Sequence, residues 1–233
     1  MSREVSFDPR GYAWLTVLLP IAAVHLAYLV SIAQGSVEAC VPYWEGCTSI
    51  SRAGRHGLAN LLFKGLMLPH AAQLVGFWLL TSLWLRALRP DAPRRILAVT
   101  GLGLVAAVFL ILYASFLGAE GPTYQWLRRY GINVFFSFSV LAQMLVIALL
   151  QPVPSLRPFL RRTMLAFAAL LLALGLASLP LQHFATDADR AMNALEWTYA
   201  LLMALFYGLI GLAWGATGFR LRVCTDADTP GSR

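Results

Sequence analysis

The chain has 233 residues, 59% of them hydrophobic and only 12% charged, with a formal net charge of +7. Soluble domains carry roughly 25% charged and about 45–50% apolar residues, so a cytosolic globular protein is excluded, and a disordered chain would need the opposite imbalance. The positive charge does not imply nucleic acid. The arginines fall in short segments between apolar blocks, where they orient a membrane protein and meet anionic headgroups.

The apolar blocks predict six membrane-spanning helices, and hence an all-α, polytopic six-helix bundle forming one domain over residues 1–233. After a polar lead, helix 1 is expected over 12–33, long enough to be a retained span rather than a cleaved signal. Helix 2 is expected over 61–85, helix 3 over 96–117, helix 4 over 132–150, helix 5 over 164–181 and helix 6 over 194–219. Each run is about 18–26 residues long, matching a hydrocarbon core of ~30 Å. With both termini inside, twelve of the 18 basic residues lie on inner segments and six on outer ones, which predicts N-in and C-in. Lys64 is the only lysine, and the Arg, Ala and Leu bias suits a bacterial inner-membrane protein with its outer loops in the periplasm. The tail 221–233 is expected to be disordered.

The inner loops are short and proline-rich. The outer loop 34–60 is the longest connection and is expected to be structured, which makes the outer side the place for function. Cys40 and Cys47 lie in it and read as a structural disulfide. The spacing is not the C-x-x-C of redox pairs, and two cysteines alone make a poor metal site. His25, His56, His70 and His183 form no H-x-x-x-H or H-E-x-x-H pair, so separate hydrogen-bonded histidines are expected, with no metal and no cofactor. Lys64 and Glu196 both fall near the outer ends of their helices, where a salt bridge between them is geometrically allowed. His56, Asn60 and Lys64 are spaced i, i+4, i+8 and would form a polar stripe if helix 2 started early. Pro69, beside His70, can kink that helix. Arg128 and Arg129 sit among Tyr124, Trp126 and Tyr130, a composition suited to a phosphate or to an interfacial belt.

Three stretches together resemble one family. They are Ile50-Ser51-Arg52-Ala53-Gly54 in the outer loop, Arg128-Arg129-Tyr130-Gly131 before helix 4, and Glu196-Trp197 opening helix 6. In order and in placement they resemble the six-span family that includes the damage-regulated autophagy modulators (DRAM), the Frag and Sfk proteins and the remodelling factors of GPI lipids. Arg128 stands where family members often have histidine, and the proline often found after I-S-x-x-G is absent around Leu58-Ala59. The resemblance implies lipid biology; in a bacterial host GPI is not a substrate, and what carries over is a membrane-embedded site for a lipid.

The expectation is therefore an outer-face site that binds or remodels a membrane lipid with an anionic or phosphate-bearing headgroup. Arg52, Arg55 and Arg128 would hold the phosphate, Ser49 and Ser51 would donate hydrogen bonds, and Lys64, His70 and Glu196 would complete the lining. Catalysis, if any, would use Glu196 as acid or base, or Ser51 as a nucleophile with His56 as its base. The alternative is a non-catalytic scaffold for a partner membrane protein. A transporter or scramblase is disfavoured by the lack of an internal repeat, and a photoreceptor by the six spans.

Overall fold

The computed structural model describes residues 3–225, in the order β1 (Arg3–Phe7), α1 (Arg10–Ala33), α2 (Pro42–Glu45), α3 (Ile50–Ala53), α4 (Gly57–Leu88), α5 (Pro93–Phe116), α6 (Pro122–Leu150), α7 (Pro158–Phe184), α8 (Ala188–Ala216) and β2 (Leu221–Thr225). The six long helices, α1 and α4 to α8, are each long and apolar enough to cross a membrane. Three of them begin at a proline, Pro93, Pro122 and Pro158, which supplies a pre-set φ where no amide partner is needed. These starts precede the predicted ones by 3, 10 and 6 residues, because hydropathy marks only the apolar stretch of a longer helix (96, 132 and 164 against 93, 122 and 158). As a result Arg128, Arg129 and Tyr130 lie on the first turns of α6 rather than in a loop.

Two strands were not expected. Arg3–Phe7 pairs antiparallel with Leu221–Thr225, Arg3 opposite Thr225 and Phe7 opposite Leu221, so residues 221–225 of the supposedly disordered tail are ordered. The remainder of that tail, 226–233, lies outside the described residues. The two strands lie together at one end of the bundle, the terminal face; the opposite end, the loop face, carries residues 34–56.

Around the bundle α1 packs between α4 and α8, α5 packs on α4, and α6 packs on α5. The ring closes weakly. α6 makes only light contact with α7 and α8, and the buried residues of α7 (Leu160, Met164, Ala168 and Leu171) all lie in its half nearer the terminal face. Beyond Leu171 that helix leaves a seam between α6 and α8 on the loop-face side.

The terminal half is packed solid. Phe77, Trp78, Tyr207 and Trp214 are at most 1% exposed, and Phe77 lies 5.0 Å from the Tyr207 ring and 5.3 Å from that of Trp214. Trp84 Nε1 donates to Thr217 Oγ1 at 2.9 Å, tying α4 to the end of α8. Gly103 leaves the room on α5 that the Trp78 ring fills. Tyr12 donates to the Gln73 carbonyl at 2.7 Å, and Gln73 Nε2 returns a bond to Thr16 Oγ1 at 3.1 Å, so α1 and α4 are also joined by polar groups. In a lipid solvent, where apolar burial gives helices little reason to associate, such close packing and interhelical bonds carry the association.

Outside the spans, Arg89 and Asp91 form a bidentate pair, with Arg89 also donating to the Leu149 carbonyl at 2.8 Å. Hydrogen bonding to Arg89 holds the Asp91 carboxyl down at about 2. A carboxylate lowered in the fold contributes above its unfolded pKa and loses that contribution as pH falls through 2, so this corner stays paired across the whole physiological range.

Candidate functional site

The loop 34–56 is folded onto the bundle. Cys40 and Cys47 are disulfide-bonded. The Tyr28 hydroxyl, from α1, donates to the Cys40 carbonyl at 2.8 Å and accepts from the Cys40 N–H at 2.9 Å. Asn193 Nδ2 donates to the Gly46 carbonyl at 2.9 Å, and Trp197 Nε1 to the Thr48 carbonyl at 2.9 Å, so α8 holds the loop at two points. Gly46, at φ 60°, lies against the Arg190 backbone where a Cβ would collide. Ser49 is spent on structure: its Oγ caps α3 by accepting from the Arg52 N–H at 3.1 Å.

The I-S-x-x-G stretch is placed by these contacts and by Asn60. Asn60 Nδ2 donates to the Gly54 carbonyl at 2.8 Å and to the Leu117 carbonyl at 3.0 Å, fixing the stretch to the end of α5. The predicted polar stripe on helix 2 is not formed. His56 is in extended backbone before α4 and is exposed, while Asn60 is turned toward these carbonyls. Lys64 is partly buried, has no ion pair with Glu196, and lines none of the three cavities below. Pro69 lies within α4, which runs on unbroken to Leu88.

Three cavities meet at one tyrosine. The first is a cleft of about 500 Å³ on the loop face, walled by Arg55, Arg128, Arg129, Trp126 and Tyr130. The second, about 380 Å³, follows the seam between α6 and α8 past Asn133, Phe136, Ser178 and Tyr199. The third is a slim slot of about 60 Å³ inside the loop-face half, with Glu196, His25 and Tyr43 at its mouth and His70 and Tyr207 at its inner end. Tyr113 and Ile132 border all three, Ser51 borders the first two, and Glu196 borders the seam and the slot.

The Tyr113 side chain is 2% exposed, and its hydroxyl has no hydrogen-bond partner. It lies in electrostatic reach of Glu196, Arg128 and Arg55. Gly131 explains how α5 comes so near α6. A Cβ there would stand 3.1 Å from both the Phe109 carbonyl oxygen and the Tyr113 nitrogen, backbone atoms that cannot swing away. Gly131→Val is therefore expected to destabilise the protein by about 1–3 kcal/mol through overpacking, read as a lowered melting temperature in detergent, whereas Gly65→Ala, in open space, should leave it unchanged.

The charges are unbalanced in a telling way. Arg55 Nε is buried without a partner, and among the described residues no carboxylate pairs with Arg55 or Arg128. Burial first, then the like charges of Arg128 and Arg52, push the Arg55 guanidinium below its ordinary value. A cation held under such strain is stabilised by an incoming anion. Arg52 is exposed and adds its charge from outside the cleft. The Glu196 carboxylate is approached by the backbone N–H groups of Ile50 and Ser51 rather than by any arginine.

No hydrogen bond joins Ser51 to His56 among the described residues. The histidine that does reach the site is His25. Its Nδ1 meets the Ile21 carbonyl at 2.7 Å, so in the neutral ring Nε2 is left to accept from the Tyr43 hydroxyl at 2.9 Å. His183 is exposed at the end of α7. No group of three His, Cys, Asp or Glu is close enough to hold a metal among the described residues. Sequence reasoning missed Tyr113, His25 and Tyr43 as site residues; a hydroxyl within the last turn of an apolar span was the available signal for Tyr113.

The three stretches that carried the family resemblance thus converge: Ser51, Arg128 and Glu196 all border this junction. A family model described as the Frag1/DRAM/Sfk1/Cwh43P N-terminal domain matches residues 12–212. The chain belongs to this family. No curated protein and no solved structure matches it. The match covers all six long helices of this Frag1/DRAM/Sfk1 protein almost completely and stops before the terminal strand β2.

Proposed function

We propose that the protein binds, and by binding presents for remodelling, a membrane phospholipid at the loop face, with the phosphate on Arg55 and Arg128. The observation that carries this reading is the Tyr113 junction, where a basic cleft, an opening toward the bilayer and an apolar slot share one unpartnered hydroxyl. A ligand that suits all three is both anionic and apolar, and it must arrive sideways from the membrane. Guanidinium groups take phosphate oxygens in pairs, and Tyr113 and Ser51 supply neutral donors beside them. The excess of basic residues on the opposite segments supports reading this face as the outer one, which in a bacterial cell is the periplasmic leaflet of the inner membrane.

The test is native mass spectrometry of protein purified in mild detergent. The parent should retain one phospholipid class, and Arg128→Ala should weaken its retention at least about tenfold, the loss expected when one charge-assisted contact worth ~1.5–3 kcal/mol is removed. Lipid carried nonspecifically, with the same occupancy in parent and Arg128→Ala, would refute the reading and favour the scaffold alternative.

A further inference from the structure

Resting on the phospholipid reading above, we propose that the inner slot seats one acyl chain of the bound lipid and sets the chain length the protein accepts. Between the polar residues at its mouth and those at its end, the wall is apolar, built from side chains such as Ile21, Val24, Phe63, Met67, Leu110 and Phe135. Glu196 to Tyr207 along α8 and Phe63 to His70 along α4 give the slot a length of roughly 10–16 Å at 1.5 Å per helical residue. A passage of that length with a volume of about 60 Å³ is narrow. Its apolar walls offer water few of the two to four partners it needs. One chain fits this shape; two do not. The other chain has a place in the seam, which borders the slot at Tyr113, Ile132, Phe136 and Glu196 and faces the bilayer along the unburied half of α7.

The slot is blind. Met203, Ala204 and Tyr207 close it from α8, and beneath them the Phe77, Trp78 and Trp214 rings fill the terminal half without exposure. At the closed end His70 Nδ1 has no partner and the Tyr207 hydroxyl stands beside Ser139 and Gln143, so the wall changes from apolar to polar where a terminal methyl would gain nothing by going further. A chain in the bilayer is already out of water, so the slot cannot select by hydrophobic transfer. It selects by contact. A short chain leaves a void lined by atoms that have lost partners, and a long one must fold back through the mouth.

The experiment offers the protein in nanodiscs an equimolar set of phosphatidylethanolamines with one headgroup and increasing acyl length, and reads the retained distribution by native mass spectrometry. The parent should retain a peaked distribution. Ala204→Phe should shift the peak to shorter chains and disfavour the parent's preferred length about tenfold, as overpacking by ~1.4 kcal/mol would. Met203→Ala should shift it to longer chains, and it carries the test alone if Ala204→Phe does not fold. An arginine-dependent lipid with the same length distribution in the parent and every variant that folds would overturn the chain seat and leave the phospholipid reading standing. No retained lipid, or retention indifferent to Arg128→Ala, would overturn both.

Discussion

Trp197→Ala is expected to cost about 3–5 kcal/mol of folding stability, the range for emptying a buried tryptophan site. The indole is 1% exposed and sits edge-on to three rings, His25 at 5.6 Å, Tyr28 at 5.5 Å and Tyr43 at 5.6 Å. Its Nε1 also satisfies the Thr48 carbonyl. Removing it therefore opens a cavity, loosens α1 from α8, and leaves an acceptor unpaired under the I-S-x-x-G stretch. Trp197→Phe separates these effects: it keeps most of the ring contacts and loses the bond, for about 1–3 kcal/mol. The measurement is thermal unfolding in detergent, with the alanine variant melting well below the phenylalanine one. Equal melting temperatures for parent and Trp197→Ala would mean that the loop is not held by this residue. Because Trp197 adjoins Glu196, the alanine variant should also lose bound lipid, which makes it a poor probe of the site and a good probe of what supports it.

The two halves of the bundle divide the work. In the terminal half, aromatic rings and interhelical hydrogen bonds leave no space, and the paired strands and the Arg89–Asp91 corner fasten the ends. In the loop-face half, the same helices diverge around a slot and a seam, and stability rests on a cross-linked loop clamped by Tyr28, Asn193 and Trp197. Leaving cavities and unpartnered cations in a fold costs stability, and such departures from good packing concentrate where a protein acts. The open half is also the half where the family's three short stretches meet.

Much of this was readable from residues alone. The six spans follow from apolar runs of bilayer length, and the disulfide from two cysteines in one long loop. Ser51, Arg55, Arg128 and Glu196 could be singled out because charged or hydroxylated residues at span ends are few. What could not be read was three-dimensional adjacency. Nothing in a one-dimensional pattern distinguishes Lys64, which lines none of the three cavities, from Glu196, which lines two. His56 was nearest to Ser51 in sequence, yet His25, from the preceding helix, reaches the slot because α1 and α8 pack together. The strands escaped notice because five-residue segments at chain ends carry too weak an alternation to outweigh a polar composition. The helix starts were late for a different reason: proline at the first position and a polar first turn are invisible to hydropathy but continuous with the helix.

Glu196→Gln is expected to alter lipid choice while leaving the fold intact. Glutamine keeps the side chain's shape and an acceptor oxygen facing the Ile50 and Ser51 N–H groups, and Asn193 and Trp197 anchor the loop independently, so the melting temperature should hold. The negative charge disappears. Tyr113 stands between the cleft walled by Arg55 and Arg128 and the seam bordered by Glu196, so with the carboxyl group ionised the parent site presents separated positive and negative groups, a pattern that suits a headgroup carrying both a phosphate and an ammonium. Opposite unit charges ~4 Å apart near a protein surface attract by about 4 kcal/mol, of which desolvation and an open mouth cancel a large part. A residual of ~1.4 kcal/mol corresponds to a tenfold change in preference. Offered equal amounts of phosphatidylethanolamine and phosphatidylglycerol, Glu196→Gln should therefore retain the anionic lipid about tenfold more, relative to the zwitterionic one, than the parent does. An unchanged ratio with an unchanged melting temperature would remove Glu196 from the headgroup site. A collapsed melting temperature would instead assign the carboxylate to holding the loop, since glutamine keeps the side chain's shape and one acceptor oxygen but loses the charge and the second acceptor.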